Sequence, residues 1–294
     1  MDNIDKTLIL SYPRTGSTAL VDVYRCYLKD KYPDSYFNMP SEPLEGEQFF
    51  NLSDYLGEKY PFYHFCQKHN FPIVEVNTLL SLKDSVDMNS LGDSIFKAVL
   101  SEPFFAVKIF PKHINLNYDF MKQVLLDHID QGNNLICLYR RNFSDTISSI
   151  ITCTITKLWV STTAREDRIS VPGEIINLEK ALSDDHLDPN VEYNIFRTTV
   201  NGLRTWYNMY RDLSKEYKNI KLVAYEDIKN FDSNFLSNLH NVHKDSYFET
   251  KVKQQHYKEQ QDIVFQNHKH LLDQVLTTQV MKELPLNSNY EIIL

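Results

Sequence analysis

A short loop near the N-terminus has the residue types that hold a phosphate group. Residues 12–18 read YPRTGST and follow a β-rich run, Thr7–Ser11, while a helical-looking segment comes next. Gly16 would let the backbone approach an anion closely, and Ser17 and Thr18 would offer hydroxyls and amides at the helix start, where the helix dipole favours negative charge. The order strand, tight loop, helix therefore predicts an anion site. A plain helix cap formed by Ser17 or Thr18 would explain the same pattern.

The same loop lacks the signature of a nucleoside triphosphatase. That signature, GxxxxGK[ST], needs a glycine five residues before Gly16 and a lysine after it, whereas Ser11 and Ser17 occupy those positions. The positive charge in this loop comes instead from Arg14, whose planar guanidinium can bind an anionic group through two parallel hydrogen bonds. The sequence therefore disfavours ATP hydrolysis and predicts another anionic ligand.

A second candidate anion site follows another β-rich run. Leu135–Tyr139 leads into residues 140–149, RRNFSDTISS, in which Asp145 is expected to begin a helix. Ligands of open α/β sheets bind outside the carboxyl ends of the strands, so Arg141 and Ser149 are predicted to meet at a second anion. Two surface arginines beside a helix cap would explain this pattern equally well.

Four short β-rich runs alternate with helical patterns along the chain. Most of these runs lack polar alternation, which is typical of strands buried on both faces of a parallel sheet. They are Thr7–Ser11, Phe104–Ile109, Leu135–Tyr139 and Ile220–Tyr225. The clearest helical spacing joins Phe196, Val200, Leu203, Tyr207 and Tyr210. This alternation predicts an α/β fold, a three-layer sandwich in which helices flank a central parallel sheet.

The chain shows no sign of division into domains. No internal repeat, Gly/Ser linker or low-complexity tract interrupts the 294 residues, so we expect a single domain over residues 1–294. Two segments, about 26–100 and 157–192, are too long for simple connections and are predicted to form short helices and loops that shape a site. The region from about residue 246 is expected to be helical.

Charge and composition exclude several functional classes. With 31 Lys and Arg against 39 Asp and Glu, the formal net charge is −8, which argues against broad binding to nucleic acid or an anionic membrane. The four cysteines form no CxxC pair, and no histidine cluster or carboxylate pair indicates a metal site. The N-terminus lacks a secretion signal and no apolar run reaches the ~18 residues of a membrane span, so we expect a soluble, cytoplasmic protein.

Taken together, the two loops resemble those of the sulfotransferases that use 3′-phosphoadenosine 5′-phosphosulfate (PAPS) as the donor. In that family a Pro-(Lys/Arg)-(Ser/Thr)-Gly-(Ser/Thr)-Thr loop holds the 5′-phosphosulfate, and residues 13–18 match it. The family's second signature, Arg-Asn-x-x-Asp-x-x-x-Ser, is similar to residues 141–149. A third element, the helix with Trp206–Leu213 and then Lys221–Ile228, looks like the family's helix and Tyr-Glu-Asp-Leu strand end.

The resemblance implies a P-loop NTPase-like fold and a role for each matching residue. The 5′-phosphosulfate would be held by the first loop, that is by Pro13, Arg14, Thr15, Gly16, Ser17 and Thr18. Arg141 and Ser149 would bind the 3′-phosphate, and Tyr225 would stand near the nucleotide. PAPS would be the donor and adenosine 3′,5′-bisphosphate the product, with no metal required.

The same resemblance assigns the chemical step. Sulfuryl transfer spreads negative charge over three oxygens while a nucleotide phosphate leaves, so the protein must supply cations and one base. Arg14 would stabilise the leaving phosphate, and Lys108 aligns with a family lysine that reaches the sulfuryl group. Phe110 stands where the cytosolic branch of the family has its basic histidine. The tyrosylprotein and bacterial branches, which this chain resembles more, use a glutamate, so Glu42 is the expected base and His113 the alternative.

We therefore expect a PAPS-dependent sulfotransferase that acts on a hydroxyl or amine of a small molecule, carbohydrate or peptide. Glu45 and Glu47 are further candidates for the base. Two other functions stay open. A small-molecule P-loop kinase would need the missing Gly-Lys pair and a magnesium-binding Asp. A nucleotide-binding protein could keep the anion loops without catalysis.

Overall fold

The architecture is that of a computed structural model, which describes residues 3–44 apart from 14, 62–71, 87–110, 118–150 apart from 144 and 148, and 189–230 apart from 219. Within these ranges the strands are β1 (Asn3–Ser11), β2 (Phe105–Ile109), β3 (Asn133–Tyr139) and β4 (Ile220–Ala224). The helices are α1 (Ser17–Lys31), α2 (Tyr63–His69), α3 (Met88–Leu100), α4 (Tyr118–Asp130), α5 (Pro189–Glu216) and α6 (Tyr225–Asn230). Residues 143, 145–147, 149 and 150 are also helical.

The four strands form one sheet in the order β2-β1-β3-β4, and every pair of neighbours is parallel. Leu8 at the centre of β1 is paired with Val107 on one side and with Leu135 on the other. Every residue of β2 and β3 is buried, so both faces of the sheet are covered there, as apolar strands without polar alternation require. The predicted α/β fold, with a central parallel sheet and flanking helices, is confirmed.

Two helices show how the sequence covers this sheet. In α1 the buried side chains recur on one face; they are Leu20, Val21, Tyr24 and Leu28. In α5 the predicted helical spacing becomes a buried stripe of Val200, Leu203, Tyr207 and Tyr210. Helix α5 has 28 residues and begins at Pro189, whose fixed φ suits the first position of a helix. Both helices thus bury an apolar stripe and leave polar residues outside.

The segments predicted to shape a site are described only in part. The segment 26–100 contains the end of α1 together with α2 and α3. Of the segment 157–192, only its last residues are described, as the start of α5, and the region from residue 246 lies outside the described residues. None of the helices in the described ranges is long and apolar enough to cross a bilayer.

The strand order places a topological switch point between β1 and β3. The chain passes from β1 to a neighbour on one side, and from β3 to a neighbour on the other, so the connections diverge between β1 and β3. Open α/β sheets bind ligands outside the carboxyl ends of the strands at such a point. The two loops that the sequence predicts to bind anions follow β1 and β3, so both begin at this switch point, where a crevice between strand ends is expected.

Candidate functional site

The loop after β1 makes a tight turn into α1 at Gly16. This glycine is the N-cap residue and has φ +86°, a left-handed conformation that favours glycine. Thr15 closes the turn, because its Oγ1 donates a hydrogen bond to the Tyr12 carbonyl oxygen at 2.7 Å. Gly16 has no side chain to bond the first amides of the helix, and the first turn contains no acidic residue. The start of α1 therefore offers amide donors and a positive dipole end to an anion.

Neither hydroxyl after this glycine caps the helix. Gly16 occupies the cap position, and no side chain makes a cap hydrogen bond there. Ser17 is buried, while Thr18 is exposed and its Oγ1 accepts a hydrogen bond from Lys108 Nζ at 2.7 Å. The plain helix-cap explanation of this loop is therefore wrong.

Two buried donors near the crevice have no hydrogen-bond partner among the described residues. One is Ser11 Oγ at the end of β1, and the other is Arg140 Nε just after β3. Ser11 is paired with Leu138 across the sheet, so both donors belong to adjoining strand ends. Buried polar groups are nearly always hydrogen-bonded. Donors of this kind beside a crevice are suited to an anionic ligand.

Tyr225, the first residue of α6, connects the ends of three strands. A Cβ atom at Gly16 would come within 2.1 Å of Tyr225 Cδ2, so the ring lies directly against this glycine. The Arg140 guanidinium carbon is 5.4 Å from the centroid of the same ring, within the range of a cation–π contact. Because Tyr225 follows β4, the loops after β1, β3 and β4 all meet at its ring.

The loop after β3 is in contact with two neighbouring carboxylates of α6. Glu226 accepts hydrogen bonds from the backbone N–H groups of Arg141 and Asn142, at 3.0 and 3.2 Å. The side chain of Arg141 donates to Asp227 Oδ2 at 2.7 Å. Burial lowers the pKa of Arg141, but the hydrogen bond and charge of Asp227 outweigh it and raise the pKa overall. The backbone and the guanidinium of Arg141 are thus bound separately.

The helical turns after this loop begin at Asn142. The Oδ1 atom of Asn142 accepts a hydrogen bond from the Asp145 N–H at 3.0 Å, the geometry of an N-cap. Asp145, which the sequence predicts as the first helical residue, lies in the first turn and forms an ion pair with Arg140 at 2.9 Å. Ser149 is buried one turn later, at 2% exposure.

A buried ion pair lies at the end of β2. Lys108 Nζ is 2.5 Å from Glu42 Oε1, and the two side chains are only 5% and 10% exposed. The same Nζ reaches Thr18 in the first turn of α1. Lys108 therefore contacts both Glu42 and Thr18. The sequence assigns these three residues to one site, although they come from distant parts of the chain. A cation, a carboxylate and a helix start are the groups that transfer of an anionic group to a hydroxyl needs.

The segment that carries Glu42 is fixed on two sides. The Ser41 carbonyl oxygen accepts a hydrogen bond from the Lys108 N–H at 2.8 Å, which continues the hydrogen bonding of edge strand β2. A Cβ atom at Gly92 of α3 would lie 2.6 Å from the Leu44 carbonyl oxygen, so only glycine permits this close approach. The carboxylate of Glu42 is thus positioned by rigid elements.

Two charged residues of α1, Asp22 and Arg25, belong to the same surroundings and are absent from the sequence prediction. Arg25 donates a hydrogen bond to the Met39 carbonyl oxygen, and burial lowers its pKa. Desolvation raises the pKa of Asp22, while the charges of Arg25 and Lys108 oppose this shift. Asp22 lies four residues after Thr18, and Arg25 three residues after Asp22, so all three share one face of α1. This spacing of polar residues is visible in the sequence.

Several predicted residues lie outside the described part of the chain. These are Arg14, His113, Glu45 and Glu47. Pro13 is described and lies half-buried next to the turn. The choice between Glu42 and His113 as the base therefore stays a prediction, as does the role of Arg14.

The comparisons with other proteins add no ligand or activity to this geometry. Among the described residues, no group of three or more His, Cys, Asp and Glu side chains could hold a metal ion. No protein-family model, no curated protein and no solved structure matches this chain.

Proposed function

We propose that this chain is a sulfotransferase, which moves the sulfuryl group of PAPS to a hydroxyl or amine acceptor on a three-layer, P-loop NTPase-like α/β fold. The observation that carries the proposal is the contact of Lys108 with both Glu42 and Thr18. It joins a cation, a carboxylate and the helix start that follows the Gly16 turn. The two unpartnered donors beside the crevice support an anionic ligand at the same strand ends.

The donor would lie across the ends of β1 and β3. Its 5′-phosphosulfate would bind the turn of residues 13–18 and the first amides of α1, where the dipole favours negative charge. Its 3′-phosphate would bind the guanidinium of Arg141, whose backbone Glu226 already fixes. Ser149, which is buried in the helical turns after this loop, would be the second residue of this phosphate site.

The reaction would be an in-line transfer. An acceptor oxygen forms a bond to sulfur while the bond between sulfur and the bridging oxygen of the 5′-phosphate breaks, and the bisphosphate leaves. The acceptor proton goes to Glu42. Lys108 and Arg14 would stabilise the negative charge on the sulfuryl oxygens and on the leaving phosphate, so that the step needs no metal.

The ion pair seen in the structure fits the start of this reaction. Lys108 is held beside Glu42 in a nearly buried position, so it need not be recruited from solvent when an anionic sulfuryl group arrives. A hydroxyl acceptor that hydrogen-bonds Glu42 would then lie next to the group that Lys108 contacts. The same residues would thereby orient the acceptor and hold the donor.

The proposal is tested by comparing ligands and then measuring turnover. Adenosine 3′,5′-bisphosphate is expected to raise Tm more than ATP with Mg²⁺ at the same concentration. Transfer of labelled sulfate from PAPS is then measured with phenols, alcohols, sugars and tyrosine peptides. Stronger stabilisation by ATP would favour a kinase. Binding of the bisphosphate without transfer to any acceptor would favour a nucleotide-binding protein.

A further inference from the structure

The guanidinium of Arg141 already has an anionic partner within the chain. Its Nη2 donates to Asp227 Oδ2 at 2.7 Å. The side chains are 42% and 31% exposed, so the pair is open to solvent on one side. A phosphate that binds Arg141 must therefore share or replace a carboxylate that accepts the same hydrogen bonds.

This carboxylate is not needed to hold the loop. Glu226, the preceding residue, accepts hydrogen bonds from the backbone of Arg141 and Asn142. Asn142 in turn caps the helical turns that follow it. The position of the Arg141 backbone thus depends on Glu226 and Asn142. The hydrogen bond of Asp227 to this loop goes to the guanidinium of Arg141 and not to the backbone.

The exchange of carboxylate for phosphate is energetically feasible. Half-exposed ion pairs are weak, because solvent competes for both charges. A phosphate carries more charge than a carboxylate and can bind a guanidinium through two hydrogen bonds. Asp227 would nevertheless oppose phosphate binding twice, by occupying the guanidinium and by repelling the incoming negative charge.

We propose that Asp227 is an internal competitor for the anion at Arg141 and thereby sets how tightly the site holds a 3′-phosphate. The inference rests on the proposed function, since that function assigns the 3′-phosphate to Arg141. Asp227 would lower the affinity for the bisphosphate product, which helps its release after transfer. Ligands without a 3′-phosphate would be little affected, because they do not reach Arg141.

The test uses calorimetric titration of the full chain with two ligands. Adenosine 3′,5′-bisphosphate and adenosine 5′-monophosphate differ only in the 3′-phosphate. The ratio of the monophosphate Kd to the bisphosphate Kd therefore measures the contribution of the Arg141 site. Asp227→Asn keeps the side-chain shape and removes the charge. It is expected to tighten bisphosphate binding about 3- to 10-fold and to change monophosphate binding less than about twofold.

The matched control is Asp145→Asn. Asp145 is also a partly exposed aspartate paired with an arginine of this loop, but its partner is Arg140, at 2.9 Å. The Asp145→Asn variant should leave the ratio of the two Kd values unchanged. If Asp227→Asn lowers Tm strongly, Asp227→Ser replaces it, and the same direction of change is expected.

Each result decides the matter. A higher ratio of the monophosphate Kd to the bisphosphate Kd in the Asp227 variant alone supports the inference. An unchanged ratio, in a wild type that prefers the bisphosphate, overturns the inference and leaves the proposed function standing. An equal rise in the Asp145 variant also overturns it, since net charge near the loop would then explain the effect. If neither the wild type nor the Asp227 variant prefers the bisphosphate, the proposed function is overturned and the inference fails with it.

Discussion

Replacing Glu42 by glutamine tests the transfer chemistry most directly. Lys108 Nζ lies 2.5 Å from the Glu42 carboxylate and 2.7 Å from Thr18 Oγ1, almost out of contact with solvent. Glutamine keeps the shape and offers Lys108 an amide oxygen, but it cannot take the acceptor proton. A hydrogen bond to a charged group contributes roughly 1.5 to 3 kcal/mol, so we expect Glu42→Gln to lower the free energy of unfolding by about 2 kcal/mol. Loss of a general base should lower kcat by about 10² to 10⁴.

A second buried glutamate provides the control for this loss of stability. Glu102 is 1% exposed and lies just before β2, at the end opposite to Lys108. It forms an ion pair with Lys68 at 2.6 Å, and its other carboxylate oxygen is 2.5 Å from His69 Nε2. Glu102→Gln therefore removes an equally buried carboxylate from a lysine partner that is half-exposed. It should lower stability and leave kcat near the wild-type value.

The assay measures kcat for transfer from labelled PAPS, with all three proteins held well below the lowest Tm. Urea unfolding of the same samples gives the loss of stability independently. Bisphosphate affinity should change little in Glu42→Gln, because the base contacts the acceptor and not the donor phosphates. If kcat of this variant stays within about threefold of wild type, the assignment of Glu42 is refuted. If His113→Ala then abolishes turnover, the base is His113.

Three other perturbations follow from the same geometry. Gly16→Ala, which forces a Cβ into the Tyr225 ring at a φ of +86°, should weaken bisphosphate binding at least about tenfold in calorimetry and lower stability by more than Gly132→Ala. Gly132 has φ +70° with open space around it, so alanine there meets only the backbone strain of about 1 kcal/mol. Arg141→Ala should weaken the bisphosphate more than the 5′-monophosphate; an equal loss for both would remove Arg141 from the 3′-phosphate site. Burial lowers the pKa of His128 from about 6.5 to about 4, so the unfolded chain binds more protons between these values. Stability in urea should accordingly fall by up to about 3 kcal/mol as the pH drops from 6.5 to 4, and this part of the slope should disappear in His128→Gln.

The centres of the strands could be predicted from the sequence, but their polar ends could not. The β-rich run at Leu135 marks β3, yet the strand begins at Asn133. Asn134 is fully buried there, because its side-chain N–H groups donate to Thr7 Oγ1 at 2.9 Å and Tyr24 Oη at 3.2 Å. A buried polar residue of this kind is stabilised by partners more than a hundred positions away. Hydrophobic patterning, which considers neighbours in sequence, begins the strand only at Leu135.

The same limit applies to β1, which begins at Asn3 and not at Thr7. Asp5 interrupts the apolar run, but its carboxylate accepts hydrogen bonds from Lys31 at 2.7 Å and from the Tyr32 hydroxyl at 2.7 Å. Both partners lie at the end of α1 or just beyond it. The packing of α1 on the sheet is therefore what makes this charged residue compatible with a strand.

Part of the candidate site could likewise be predicted from the sequence, and part of it could not. The turn at Gly16 and the loop at Arg141 have local spacing that identifies them, and each falls directly after a strand. The pairing of Arg141 with Asp227 depends on β4 being the neighbour of β3, which is a property of strand order. Nothing within the residues 141–149 indicates that partner. The sequence therefore predicts two candidate anion-binding loops, and it does not indicate the carboxylate that pairs with Arg141.

The strand order also bears on which ligand the two loops suit. Neighbouring parallel strands are about 4.8 Å apart, so loops that follow β1 and β3 begin side by side. Two independent anions at such neighbouring sites would repel each other, and each would have to give up its own translational freedom. A single molecule that carries two phosphate groups loses its translational freedom only once. Tyr225, held between Gly16 and Arg140, keeps the two loops at a fixed separation. A small ligand with two anionic groups on one framework therefore suits this crevice better than two separate anions, which is the physical reason to test a 3′,5′-bisphosphate before a simple mononucleotide.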